Sequence, residues 1–342
     1  MKKLLLIPFM LVFALTFTGC DNTPDEPPTP PPAQNQETPP SGDASAFADF
    51  PTGPITIYNS STAGSPADVM ARELARSIED IYNVPVTVNN APGGGGGVLF
   101  GSVARSAADG YTWGSFTAAQ IASLQAGLSN DFPIDTFQFV ANIQTDVHAI
   151  AVQADAPWET LEDLIEDIQS RGSALQMGGQ GTGSGMHLNA LQFVQDADLD
   201  FVWIPFDGGA VTVTNLLGGH IEAGLTTPTT VREYVEAGMI RMLAVTGDSR
   251  LSTAPDVPTF EELGFPNVAL TQYRGVYVDS RVDMDLVARI SEIIREATLS
   301  DTFMAYMDLV GMDDTFMPYY EFHPYVLADL DRVGVMAEGL LD

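Results

Sequence analysis

Cysteine is almost absent from this 342-residue chain. Cys20 is the only cysteine, so no intrachain disulfide can form. A folded body must therefore be stabilised by burial alone. The roughly 290 residues from Phe50 onward are enough for two domains, or one large domain, with a substantial core.

Basic residues are also scarce. The chain has 14 lysines and arginines against 45 acidic residues, a net charge of −31, and its only lysines are Lys2 and Lys3. The acidic residues are dispersed along the chain, which is typical of a solvated surface and not of an acidic tail. Nucleic acid and anionic lipid surfaces are poor partners for a body with this charge.

A surface this acidic and almost without lysine is typical of adaptation to high salt, where counterions screen the repulsion between like charges. On this hypothesis we expect the melting temperature of the body to rise between low salt and molar salt. Thermal melting at the two salt concentrations measures the effect. A melting temperature that stays constant or falls would rule the hypothesis out.

Apolar runs long enough to span a membrane are not found. The apolar stretch of residues 4–17 follows Lys2 and Lys3 and has 14 residues, whereas a spanning helix needs roughly 20. This pattern predicts a signal peptide over residues 1–19. Small residues directly before Cys20 resemble a bacterial lipobox, which predicts cleavage before Cys20 and a lipid on its thiol. The alternative is a buried, chemically inert cysteine.

Prolines are concentrated directly after that cysteine. Residues 21–49 contain eight prolines and no apolar period. Because proline fixes φ and favours extended backbone, residues 20–49 are predicted to form a semi-rigid tether that holds the body away from a membrane. Plain disorder is the alternative, and it leaves the segment with the same role as a spacer.

Motifs for catalysis and metal binding are lacking. The glycine runs never complete G-x-G-x-x-G, no G-K-[ST] follows them, and no G-x-S-x-G nucleophile elbow occurs. The histidines at positions 148, 187, 220 and 323 have no metal-ligand spacing. Asp68 could act as a general base, but its position three residues after Ser65 suits a helix cap better. The sequence therefore predicts no enzymatic activity, no cofactor and no bound metal.

What the sequence does contain is an alternation of short β-rich runs and helical patterns. Residues 54–58 form a predicted strand, and Ser65 and Pro66 open a predicted helix whose apolar side chains recur at helical spacing. This order continues along the chain and predicts an α/β architecture. Further strands are predicted at residues 85–88, 111–116, 148–152, 176–179, 201–205, 221–225, 241–246 and 274–278.

Three loops share one design. Residues 60–65, 178–184 and 205–210 each leave a predicted strand, are rich in glycine, serine or threonine, and open a predicted helix. Ligands of open α/β sheets bind beyond the carboxyl ends of the strands, and helix N-termini favour anions. Together these loops could hold a carboxylate without any lysine or arginine. The alternative is that each glycine-rich turn only reverses the chain.

Several short blocks occur in a characteristic order and spacing. They are residues 54–57, 63–72, 90–97, 108–112 (Ala-Asp-Gly-Tyr-Thr), 177–188, 204–210, 216–219, 243–246 and 255–259. Through these blocks the chain resembles the substrate-binding receptors of tripartite tricarboxylate transporters, the Bug or TctC family. The resemblance extends from about Pro51 to near Leu309.

The resemblance implies a two-lobed periplasmic-binding-protein fold of the class II-like type, with central mixed sheets flanked by helices. The chain is then expected to cross between lobes twice, near Thr145 and near Thr271. Residues 50–145 and 271–342 would form the first lobe, and residues 146–270 the second.

The resemblance also implies a function and a site. The protein would be a monomeric extracytoplasmic receptor, lipid-anchored to the cell membrane, that captures a small carboxylate and delivers it to the transporter membrane subunits. The implied ligand-binding residues are Ser60, Ser61, Thr62, Ala63, Gly64, Ser65, Asp68, Thr117, Ala118, Gly181, Thr182, Gly183, Ser184, His187, Phe206, Gly208, Gly209, Ala210, Thr226 and Thr227.

Some positions depart from the family pattern. Asn59, Ser60 and Ser61 replace an apolar stretch, Ser65 and Pro66 follow Gly64 where two glycines are common, and Asp207 replaces a frequent lysine. These changes are expected to make the cleft more polar and more negative. A neutral or zwitterionic ligand is therefore an alternative to a carboxylate. A receptor that signals to a membrane kinase and a hydrolase on the same lobes are alternatives of other classes.

Overall fold

The computed structural model describes residues 43–125 and 127–340. The predicted signal peptide, the predicted lipidation site at Cys20 and most of the predicted tether lie outside the described residues. The end of the predicted tether differs from expectation, because Ala44–Phe47 forms a short 3-10 helix whose side chains pack against the core. No helix in the described ranges combines the length and the apolar character needed to cross a membrane.

The described residues alternate between strands and helices. The strands are β1 (Ile55–Asn59), β2 (Val86–Asn90), β3 (Thr112–Thr117), β4 (Phe137–Asp146), β5 (Ala149–Gln153), β6 (Leu175–Gln180), β7 (Phe201–Phe206), β8 (Ala223–Thr226), β9 (Ile240–Val245), β10 (Gln272–Asp279) and β11 (Met317–Pro318). The helices are α1 (Pro66–Tyr82), α2 (Gly97–Ala104), α3 (Ala119–Gln125), α4 (Leu161–Arg171), α5 (Gly185–Asp196), α6 (Gly209–Leu217), α7 (Pro228–Glu236), α8 (Met284–Thr298), α9 (Asp301–Val310) and α10 (Tyr319–Leu340).

The strands form two mixed sheets. The first has the order β11-β4-β10-β3-β1-β2, in which β1 runs parallel to β2 and β3 while β10 is antiparallel to β3 and β4. The second has the order β7-β6-β8-β5-β9, with β6 parallel to β7 and β8, and β5 antiparallel to β8 and β9. The predicted α/β class with two mixed sheets is confirmed.

The chain passes between the sheets at two places. It leaves the first sheet after Asp146 and enters the second at Ala149, and it returns between Val245 and Gln272. These passages lie beside the predicted crossings at Thr145 and Thr271. The lobe limits at residues 50–145, 146–270 and 271–342 stay a proposal.

Local signals explain why the helices begin where they do. The Ser65 hydroxyl accepts from the Asp68 N–H, and Pro66 occupies the first position of α1, where a missing N–H costs nothing. Thr160 and Asp163 form a reciprocal capping box at the start of α4. Such caps stabilise a helix by about 1 kcal/mol each, which directs the chain from each strand into the next helix.

Both sheets are covered on both faces. On the first sheet, α1, α8 and α9 pack on one side, while α2, α3 and α10 cover an aromatic cluster around Phe116 and Tyr277 on the other. On the second sheet, α4 and α5 cover one face and α6 and α7 the other. Burial of these apolar side chains supplies the main stabilisation of a body whose described residues contain no cysteine.

Candidate functional site

A cavity of about 810 Å³ lies between the two sheets. Its walls include the first turns of α1, α3, α5, α6 and α7, which follow the carboxyl ends of β1, β3, β6, β7 and β8, together with the ends of β4 and β10. The predicted residues that line it are Ser61, Ser65, Thr117, Ala118, Gly181, Thr182, Gly183, Ser184, Gly209 and Thr227. The predicted residues outside its lining are Ser60, Thr62, Ala63, Gly64, Asp68, His187, Phe206, Gly208, Ala210 and Thr226.

Asp68 supports the first loop instead of lining the cavity. Its carboxylate accepts hydrogen bonds from the Gly64 N–H (2.8 Å), Arg72 Nε (3.0 Å) and Asn90 Nδ2 (2.8 Å). Burial raises the pKa of this carboxyl, but the bonds from Arg72, Gly64 and Asn90 outweigh burial and hold the pKa below its usual value. Because both oxygens have donors, Asp68 positions the loop around Ser65.

The polar residues that replace an apolar stretch in this loop have structural partners. The buried Asn59 accepts the Ser61 N–H at its Oδ1 (3.0 Å). Gln120 donates from Nε2 to the Ser60 hydroxyl (3.0 Å) and accepts the Thr117 N–H at Oε1 (2.5 Å). These bonds hold Ser61 and Thr117 in the cavity wall and leave Ser60 behind it.

Two backbone N–H groups of the second loop form hydrogen bonds with other parts of the protein. The Gly181 N–H donates to the Phe206 carbonyl (3.0 Å), and the Gly183 N–H donates to His187 Nδ1 (3.0 Å). Burial lowers the pKa of His187, so its ring is neutral, and acceptance at Nδ1 places the proton on Nε2. The ring rests on Trp203, with centroids 4.9 Å apart. His187 therefore shapes the loop from behind.

Free backbone donors lie instead in the first turns of the helices. The N–H groups of Ala67 in α1, Gly185 and Met186 in α5, Gly209 in α6 and Thr229 in α7 have no intrahelical acceptor, and all these residues line the cavity. Each helix N-terminus carries a partial positive charge that favours an anion by roughly 0.3–1 kcal/mol. Four helix N-termini thus converge on one cavity.

The third loop differs in part from expectation. Phe206, the last residue of β7, packs in the apolar cluster between the second sheet and the helices α6 and α7, and a Cβ added at Gly178 would come within 2.5 Å of its ring. Asp207 is exposed and lies outside the cavity lining, so it does not make the cavity wall more negative. Thr226 is buried, whereas the Thr227 hydroxyl lies at the cavity beside those of Thr229 (2.9 Å) and Thr230 (2.8 Å).

The sequence does not predict the charged residues of the cavity wall. Arg274 on β10 is only 9% exposed and lines the cavity. Within residues 43–125 and 127–340, its guanidinium has no hydrogen-bond partner and no carboxylate oxygen within 4.0 Å. The register against β4 shifts between Arg274 and Gly275, because Ile143 of β4 has no partner on β10. The available signal was a lone arginine in a predicted apolar strand.

Asp146, the last residue of β4, is the second charged residue of this wall. It is 5% exposed and accepts a hydrogen bond from the Thr229 hydroxyl at Oδ2 (2.7 Å). Burial raises the pKa of this carboxyl, although Arg274 and the threonine hydroxyls oppose the rise. The cavity therefore contains a buried acid and a buried base in one wall, which the three loops alone did not indicate.

His148 connects the two segments that cross between the sheets. Its Nδ1 lies 2.9 Å from Asn189 Nδ2, which also donates to the Leu270 carbonyl (2.8 Å), while Asn189 Oδ1 accepts the Leu270 N–H (3.1 Å). Burial lowers the pKa of His148 to about 4, so the ring is neutral at neutral pH. Both crossing segments thus share one hydrogen-bond network beside α5.

The arrangement of strands, helices and cavity agrees with what the comparisons find. A family model described as the tripartite tricarboxylate transporter family receptor, TctC, matches residues 70–340. The chain belongs to this family. The receptor is 30% identical to the protein BugT of Bordetella pertussis over 295 residues, which covers 84% of this chain and 90% of BugT.

Solved structures share the fold of this receptor. A TctC solute-binding protein from Polaromonas, solved without ligand, has a TM-score of 0.78 and 25% identity, and the match covers 85% of this chain and all (100%) of the other. A Rhodopseudomonas palustris protein solved with adipate has a TM-score of 0.67 and 23% identity, covering 84% and 97%. MatC from the same organism, with bound malate, has a TM-score of 0.64 and 18% identity, covering 84% and 99%. The predicted two-lobed fold of periplasmic solute-binding proteins is confirmed.

Proposed function

We propose that this receptor captures a small organic acid outside the cytoplasm and delivers it to the membrane subunits of a tripartite tricarboxylate-type transporter, without chemical change to the ligand. The observation that carries the proposal is Arg274, a buried guanidinium at the cavity with no partner among the described residues. Arginine binds carboxylates through two parallel hydrogen bonds. The adipate and malate of the two related structures support a carboxylate of this kind.

The surrounding electrostatics are consistent with an anionic group at this position. The first turns of α1, α5, α6 and α7 add free N–H donors, and their partial positive charges reinforce Arg274. A ligand that contacts the loops of both sheets would favour the closed arrangement of the lobes over an open one, since only the closed form offers all contacts together. The site residues that line the cavity would form that bridge.

The location of the receptor is part of the same proposal. Residues 1–19 would be removed as a signal peptide, Cys20 would carry the lipid, and the proline-rich segment would connect the anchor to the body. A soluble receptor body attached in this way can present its ligand to membrane subunits without spanning the membrane itself.

The proposed function is tested by calorimetric titration of the body with citrate, malate, adipate and glutamate. The diamide adipamide serves as the uncharged counterpart of adipate. We expect at least one carboxylate to bind and the diamide not to bind. Arg274→Gln should weaken binding of the carboxylate by about 30-fold, because the carboxylate loses a charged hydrogen-bond partner.

Arg250→Gln is the matched control. Arg250 pairs with Glu262 on the surface, 2.8 Å away, and does not line the cavity, so this variant should bind like the unmodified protein. Flat titrations with every carboxylate, or equal affinity for adipamide and adipate, would contradict the proposed function.

A further inference from the structure

Four polar side chains form one face at the meeting of β4 and β10. Gln144 and Asp146 lie two residues apart on β4, and Arg274 and Gln272 stand opposite them on β10. In an antiparallel pair, residues two apart point to the same side of the sheet, and diagonal neighbours are within reach of long side chains. All four side chains line the cavity.

Asp146 and Arg274 do not form an ion pair in this face. No described carboxylate oxygen lies within 4.0 Å of the Arg274 nitrogens, although the two groups influence each other electrostatically. A buried acid and a buried base that are close but unpaired are costly, because each has lost water without gaining its partner. A molecule placed between them could satisfy both.

The remaining donors and acceptors indicate the chemistry of that molecule. Arg274 offers only donors, and none of them is used within the described residues. Asp146 accepts from the Thr229 hydroxyl at Oδ2 and also interacts with the Thr227 hydroxyl. Gln144 donates to the Tyr306 hydroxyl (3.1 Å), while its carbonyl oxygen has no donor in the described part of the chain. The face therefore requires an acceptor at Arg274 and a donor beside Asp146 and Gln144.

We propose that Asp146 and Arg274 together determine specificity and select a ligand with a primary ammonium beside its carboxylate. The inference rests on the proposed function and narrows its ligand class. The carboxylate would bind Arg274 and the helix N-termini, and the ammonium would donate to Asp146. A second carboxylate at the ammonium position would face Asp146 as a like charge in a site of low dielectric.

Two ligand series that differ in one group test this by calorimetry. The first is 2-aminobutanoate, 2-hydroxybutanoate, butanoate and ethylmalonate, and the second is glutamate, 2-hydroxyglutarate and glutarate. We expect the amine to bind about 10- to 100-fold more tightly than the other members of at least one series, because its ammonium adds a charged hydrogen bond. Asp146→Asn should remove that advantage and strengthen the binding of ethylmalonate relative to that of 2-aminobutanoate.

Asp279→Asn is the matched control. Asp279 is another buried carboxylate, 2% exposed, but both of its oxygens accept from Arg281 (2.8 Å) and it does not line the cavity, so its replacement should leave the order of affinities unchanged. The order of affinities in the two ligand series is measured on the unmodified protein, so the test stays valid if a variant fails to fold.

The outcomes separate the two proposals. The specificity inference would be overturned if, in both series, the amines bound no better than their hydroxy or carboxy counterparts. If citrate, malate or adipate still bound, the proposed function would stay intact. The absence of binding by every carboxylate would overturn the proposed function itself. If Asp279→Asn changed the preference as much as Asp146→Asn, Asp146 would not be the selecting residue.

Discussion

Replacing Gly183 with valine is expected to abolish ligand binding, a loss of affinity of at least about 100-fold, while the body stays folded. Gly183 lines the cavity in the turn before α5, and a Cβ built on it meets no atom within 4 Å. The added side chain would therefore enter the space that the ligand needs. The backbone has φ +78°, so a β-branched side chain also strains the turn, by about 1–2 kcal/mol.

Gly219→Val separates occlusion from strain. Gly219 has φ +69° and an equally open Cβ position, but it lies outside the cavity lining. Both variants should therefore lose similar stability in thermal melting, and only Gly183→Val should lose binding in calorimetry. If Gly183→Val bound as tightly as the unmodified protein, the second loop would not belong to the ligand site.

The parts of the fold that follow from the sequence are those with local causes. The cap at Ser65, the proline at position 66 and the apolar spacing of α1 are all encoded within one short segment, and the helix begins at Pro66 as expected. The same holds for β6 and α5 around Ser184. Such segments can be read without knowledge of their neighbours because the caps and the periodicity are properties of adjacent residues.

The parts that the sequence does not predict depend on distant partners. β4 is ten residues long and almost wholly buried between β10 and β11, so it lacks the alternation that marks a half-exposed strand. The 22-residue α10 contains Pro324 and contacts both α3, which covers the first sheet, and α5, which covers the second. Their existence is determined by tertiary packing, which a single segment does not reveal.

The same distinction applies to the site. The glycine- and serine-rich loops could be recognised because their composition is unusual. Asp146 and Arg274 could not, since each is a single charge in a strand, and only pairing between β4 and β10 brings them to one wall. Sequence reasoning therefore finds the backbone of this site and misses the charges that would select its ligand.

Those charges also alter the expected role of the acidic surface. A net charge of −31 should repel an anionic ligand, and high salt would screen this repulsion. In the cavity, Arg274 and the helix N-termini provide local positive potential close to the ligand, where screening by salt is weakest. A zwitterionic ligand would feel still less of the long-range repulsion, because its net charge is zero.

Gly275→Ala is expected to cause the largest loss of stability among single changes near this wall. A Cβ at Gly275 would lie 2.4 Å from the Ala141 carbonyl oxygen and 2.5 Å from the Phe322 ring. The ring can turn aside, but the carbonyl belongs to β4, so the two strands must move apart. Overpacking of this kind costs about 3 kcal/mol or more, which lowers the melting temperature by roughly 6 °C or more.

Gly208→Ala is the control for this change, because its backbone is extended and a Cβ there meets no atom within 4 Å. Thermal melting should show a large loss for Gly275→Ala and almost none for the control. An unchanged melting temperature for Gly275→Ala would contradict the close approach of β10 to β4. A separation of β10 from β4 would also move Arg274, which adjoins Gly275 and pairs with Gln144 of β4. Carboxylate affinity, measured below the lowered melting temperature, should therefore fall in Gly275→Ala and not in Gly208→Ala.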